Sequence, residues 1–85
     1  NFLGGNFKGQ DMSGADLSAK LLIAANFEKS LFNGTLFLGA DTRDTNFKNA
    51  DLSEAVFLTQ GQVNSAKGNR QTKLPYHLDY PVTWK

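Results

Sequence analysis

His77 and Asp79 are the pair with the most obvious reach toward chemistry, an imidazole and a carboxylate two residues apart near the C-terminal end of this 85-residue chain. A lone histidine and one carboxylate do not complete a metal site, and no cysteine is present to add a thiolate. His77 therefore reads as a surface or tail-packing residue. Asp41, Arg43 and Asp44 crowd the segment DTRDT, which reads as a locally ion-paired surface or, less simply, a binding spot. Asn33-Gly34-Thr35 fits a glycosylation acceptor, a pattern that is common by chance. No GxxxxGK[ST] or GxGxxG spacing occurs. The serines lack a partner base, so no nucleophile can be assembled. The expectation is no catalytic residue, no cofactor and no metal.

What positions these residues is a period of five. From Phe2, every fifth residue is Phe7, Met12, Leu17, Leu22, Phe27, Phe32, Phe37, Thr42, Phe47, Leu52 and Phe57. All but Thr42 are large and apolar. Two places before most anchors stands a small residue, such as Ala15, Ala25, Ser30, Thr35, Ala40, Thr45 or Ala50, and Gln10 and Lys20 break this rule. One place before, Asp or Asn recurs: Asn1, Asn6, Asp11, Asp16, Asn26, Asp41, Asn46 and Asp51. Five steps on an α-helix would spiral the anchors around the cylinder, and on a strand would send them to alternate faces. A path that turns by a constant angle every five residues keeps every anchor inside.

GADLSA, ANFEKS and NADLSE resemble the pentapeptide-repeat family, whose motif is A(D/N)Lxx. The resemblance covers residues 1 to about 60. It implies an all-β chain, a right-handed quadrilateral parallel β-helix of about three coils with four pentapeptides in each. Leu21, Leu31, Leu36 and Thr42 depart from the motif without breaking its phase. Residues twenty apart then stack, giving the columns Phe2/Leu22/Thr42, Phe7/Phe27/Phe47, Met12/Phe32/Leu52 and Leu17/Phe37/Phe57. The second is a phenylalanine stack flanked by Asn6, Asn26 and Asn46, which are expected to bond from coil to coil.

Residues 1–60 thus form the repeat domain. Residues 61–73 read as a polar loop. Beyond it, Leu74, Tyr76, Leu78, Tyr80, Val82 and Trp84 alternate with polar or proline positions, which predicts an extended tail with one apolar side. Its prolines suit an edge. Leu36, Leu38, Val56 and Leu58 make the fourth face apolar, continued by Leu3, Leu21 and Ile23, and such a patch usually meets something. The leading expectation sets Tyr76, Tyr80 and Trp84 over that face. Closure of the last coil's open end and capture of a partner are the alternatives. LPYHLDYPVTW is also similar to C-terminal segments of cyanobacterial members of the family.

The function expected is a non-enzymatic structural or protein-interaction module. Some members of the family act on topoisomerases by imitating DNA, but those are strongly acidic rods. Residues 1–60 carry five basic and seven acidic side chains, and the whole chain has a net charge of +1. That balance argues against a duplex mimic and also against a dedicated nucleic-acid binder. No apolar run is long enough for a membrane span. An accessory role in a larger protein, a protein partner and end-to-end stacking of copies all stay open. The chain begins with Asn1, so it is expected to be a processed product or a fragment. The sequence leaves its compartment unknown: cytoplasm, or thylakoid lumen or periplasm if a signal peptide was removed.

Overall fold

The computed structural model describes residues 1–85. Its organising contacts are parallel β-bridges one residue long. Asn6 pairs with Asn26 and Asn26 with Asn46; Asp11 pairs with Leu31 and Leu31 with Asp51; Asp16 pairs with Leu36 and Leu36 with Val56; Leu21 pairs with Asp41. In all seven the partner is twenty residues on, so four pentapeptides complete a coil. The bridging residue is always the one before the anchor. The chain is a β-helix wound from single-residue rungs, without extended strands.

The rungs are short because the rest of each pentapeptide is turn. The anchor carbonyl accepts from the N–H three residues later, as in Gly5 to Phe2 (2.9 Å), Ala25 to Leu22 (2.9 Å) and Ala50 to Phe47 (3.0 Å). The third residue of the turn has positive φ: Gly4 at 63°, Ala24 at 60°, Asn49 at 58°. That is the signature of a type II β-turn. The turn also explains the recurring Asp or Asn. Each of the eight accepts, through Oδ1, the N–H two residues ahead, for example Asp16 from Ser18 (2.9 Å) and Asn46 from Lys48 (2.9 Å). The expected coil-to-coil bonding of Asn6, Asn26 and Asn46 is therefore corrected: their oxygens are spent inside their own turns.

Small residues two places before the anchors lie inside. Three of them carry hydroxyls that donate to the anchor carbonyl one coil earlier: Ser30 to Phe7 (2.8 Å), Thr35 to Met12 (2.7 Å) and Thr45 to Leu22 (2.8 Å). Every buried side-chain polar atom has a partner, as a dry interior requires. The phenylalanine column is present. Phe7 stacks on Phe27 (centroids 5.2 Å, 18°) and Phe27 on Phe47 (6.1 Å, 16°). Phe32 meets both Phe27 and Phe47 edge-on.

The phase ends one anchor earlier than the sequence suggests. Over Leu52–Ala55 the turn bond persists (3.0 Å), but Glu54 is not among the positive-φ residues. Phe57 takes a φ of 61° instead and points outward, 60% exposed, while Leu58 goes into the core. Phe57 is thus no member of the Leu17/Phe37 column, and Leu58 is no surface flank.

Residues 58–85 close the C-terminal end. The expected loop at 61–73 is in fact a loose fourth coil. It contains helix α1, Gln60–Ser65, begun by a capping box between Thr59 and Gln62. Gln62 donates to the Phe37 and Ala40 carbonyls (2.7 and 3.0 Å). Lys67 then pairs with Asn46 and Lys73 with Asp51, at spacings of twenty-one and twenty-two residues because the helix and the next turn each take in an extra one. Thr42 belongs to this closure. Its hydroxyl donates to the Gln62 carbonyl (2.8 Å) and contacts Ser65 Oγ (3.1 Å). The polar anchor shares that helix carbonyl with Ser65 Oγ (3.0 Å).

The tail is not one extended segment. A turn brings the Leu78 N–H to the Pro75 carbonyl (3.0 Å), and Val82–Trp84 form a 3₁₀ turn. Tyr76 is fully exposed and Val82 nearly so. The tail's side-chain and Gln60-mediated bonds go to the fourth coil. Trp84 Nε1–H donates to the Ala66 carbonyl (3.2 Å), the Tyr80 hydroxyl donates to the Thr72 carbonyl, and the Gln60 amide exchanges two bonds with the backbone of Asp79 (2.9 and 2.8 Å).

Candidate interaction surface

The residues expected to form a surface are separated by this arrangement. Leu36 and Val56 stay together, half-buried on adjacent rungs of the fourth face. Leu38 lies beside them, 59% exposed. Leu58, Tyr80 and Trp84 have left the face for the core or the closing coil, and Tyr76 projects into solvent. In their place the structure adds Phe57, whose ring the sequence reading had placed inside. The only sequence signal for this is Glu54, an awkward residue for a positive-φ turn place. Leu21 and Leu3, both about half exposed, extend the apolar area onto the first face, with Ile23 between them in the column of Leu3.

The polar candidates are held within single turns. Arg43 grips Asp41 through Nη2 and Nε (2.7 and 3.0 Å to the carboxylate). The side-chain bonds from Arg43 hold the Asp41 carboxyl below its ordinary range, and Asp41 in turn raises Arg43. Asp11, Asp16 and Asp51 are lowered mainly by side-chain bonds from Ser13, Ser18 and Ser53. A carboxylate so stabilised is a poor proton acceptor. His77 is exposed with its ring against Tyr76 (5.5 Å). No three His, Cys, Asp or Glu side chains converge. Thr35 is fully buried and its hydroxyl is donated to Met12, so the glycosylation pattern is closed to an enzyme in the folded chain.

Two shallow clefts occur. One of about 600 Å³ is lined by Arg70, Tyr80 and Lys85. The other, about 350 Å³, lies at the N-terminal end between Asn1, Phe2, Ala19, Lys20 and Leu21. No helix is long and apolar enough to cross a membrane.

A family model described as pentapeptide repeats matches residues 21–57 in eight copies. The match stops where the structural phase stops, at Phe57. Coil one, residues 1–20, lies outside it yet bridges coil two in the same way. The uncharacterized protein YybG of Bacillus subtilis (strain 168) is 52% identical over 31 residues, which cover 36% of this chain and 11% of that protein.

Proposed function

Since this is a pentapeptide-repeat chain over residues 21–57, we infer that it is a non-enzymatic module, wound as a right-handed four-sided β-helix, whose job is to present a rigid face to a protein partner. Members of the family are generally non-enzymatic. The observation that carries the reading is the exposed pair Leu38 and Phe57 beside half-buried Leu36 and Val56. The chain's own tail was the obvious cover and is engaged elsewhere, on Ala66, Thr72 and Gln60. Rungs locked at a fixed spacing present such a patch without an ordering cost at binding.

A photo-crosslinking side chain at position 38 tests this in extracts of the native host. The expected result is one discrete adduct, lost when Phe57→Glu is introduced and absent when the crosslinker is at Asn33 on the third face. No adduct at position 38 would sink the reading.

A second reading, an accessory module of a larger protein, draws support from the relative, of which the chain covers only 11%. Duplex mimicry draws none, because the repeat domain lacks a continuous acidic face. End-to-end stacking of copies is disfavoured by two residues at the N-terminal edge. Gln10 and Lys20 occupy places that are small and buried one coil later, at Ser30 and Ala40. Those later side chains point back toward the preceding coil, as the Ser30 bond to Phe7 shows. A stacked copy would have to enclose the Lys20 charge.

A further inference from the structure

We propose that the corner built on Lys8, Lys29, Lys48, Lys67 and Arg70 is a docking ridge for an acidic protein helix, with its upper end in the cleft between Arg70 and Lys85. This ridge stands apart from the fourth face and does not depend on it.

The winding brings the cations to one corner, in neighbouring columns rather than a single line. Lys8 and Lys48 each follow by two a residue of the Asn6/Asn26/Asn46 column, and each is held there by that asparagine. Glu28 holds the place between them, and Lys29 stands one residue on, in the positive-φ place it shares with Gly9 and Asn49. Its N–H donates to the Lys48 carbonyl (3.0 Å), as Gly9 donates to Glu28 (2.8 Å). Lys67 takes the next place above Asn46. Asn69 is bonded twice to Asn49 (3.1 and 3.2 Å), which carries Arg70 to the top of the same corner. All five are exposed.

None is neutralised. The molecule's one ion pair is Arg43–Asp41. Glu28 is the single acid on the ridge, so five cations leave +4 there. With a net charge of +1 for the chain, everything else sums to −3. The protein is therefore strongly polarised although its total charge is small, and such a field steers and orients a partner.

Spacing selects the partner. Coils rise by about 4.8 Å, so the ridge offers a cation level at that interval. An α-helix with one carboxylate per turn repeats at about 5.4 Å. The mismatch over three coils is about 2 Å, within the reach of lysine stems. One strand of a DNA duplex repeats its charge at about 3.4 Å along the helix axis and falls out of step about twice as fast. Its long, uniform charge would also run onto the negative remainder of the surface. At the top, the cleft of about 600 Å³ is lined by two cations and the Tyr80 ring. It is suited to a terminal carboxylate of the same helix, because Arg70 offers planar, forked donors.

The test is fluorescence anisotropy on the full chain at low ionic strength. The probe is a fluorescein-labelled helical peptide with one glutamate per turn on a single face. Expected are saturable binding that weakens as salt rises, loss of binding to the same peptide with glutamines, and a loss of about tenfold or more in Lys29→Glu/Lys48→Glu. Lys73→Glu, on another face beside Asp51, should bind as the parent does. Melting curves of both variants confirm that they fold. The proposal is overturned if the acidic peptide does not bind the parent, if Lys73→Glu loses as much as the double variant, or if an oligothymidylate of equal charge binds more tightly.

Discussion

The indole of Trp84 fills the side-chain space of Gly68. Lys67 is in register with Asn46, so Gly68 stands where the column after Phe47 calls for an anchor. A Cβ on Gly68 would meet Trp84 Cε3 at 2.5 Å. The chain thus ends the winding by leaving out its own anchor and supplying a ring from sixteen residues later. Trp84 is 3% exposed and its N–H is satisfied by Ala66.

Trp84→Ala should therefore cost about 3–5 kcal/mol of stability, as for other buried aromatics. Gly68→Leu alone should also destabilise, because leucine and indole compete for one space. Combined, they should recover part of the loss, since Gly68 has no positive φ to forbid a side chain. Urea unfolding of the three variants measures the coupling. Simple additivity would show that the indole and the Gly68 place are independent.

Thr42 tests how far the family pattern can be trusted. Restoring an apolar anchor with Thr42→Leu looks like a repair. It would remove one of the two hydroxyls that donate to the Gln62 carbonyl, leaving only Ser65 Oγ (3.0 Å), and press a larger side chain against α1. The expected effect is a loss of about 1–3 kcal/mol, whereas Thr42→Ser, which keeps the hydroxyl, should lose less. Thermal melts of the two variants give the order.

Phe57 holds a left-handed backbone that an aromatic residue seldom adopts, and it buries little in exchange. Phe57→Gly should stabilise the fold by about 1 kcal/mol or less, read as a higher unfolding midpoint, since the relief of αL strain exceeds the added entropy of the unfolded chain. A lower midpoint would mean that the ring's outer contacts matter to the fold itself.

Stability should fall in acid. The Asp11, Asp16, Asp41 and Asp51 carboxyls are lowered in the folded chain. Their contribution is complete above the unfolded carboxylate value, about 3.9, and is lost as pH drops through the lower folded values. Asp11→Asn and Asp51→Asn keep the oxygen that accepts the turn N–H, as Asn26 shows. Chemical unfolding between neutral pH and the acid range should give a flatter acid limb for the double variant. An unchanged limb would place the acid sensitivity elsewhere.

The candidate surface was legible only in part. Leu36, Leu38 and Val56 are where their repeat places put them, because those places are set by the phase. Phe57, Leu58 and the aromatic residues of the tail are not, because each lies beyond the last regular turn. The basic corner is written in the spacing of Lys8, Lys29 and Lys48, but Lys67 and Arg70 join it only through the irregular fourth coil.

The sequence by itself determined the winding. Most pentapeptides carry their own turn chemistry: a positive-φ residue, an Asp or Asn oxygen for the N–H two ahead, a small inner residue and an anchor. These are local demands, repeated, so their sum fixes a twenty-residue coil and its columns. Tertiary structure alone decided how the winding stops. A repeat cannot state its own end, because every unit asks for a neighbour above. Ending it required partners distant in sequence, Thr42 with Gln62, Gly68 with Trp84 and Gln60 with Asp79. No period in the chain announces those contacts. They follow from which groups the last coil left unpaired and which later residues reached them.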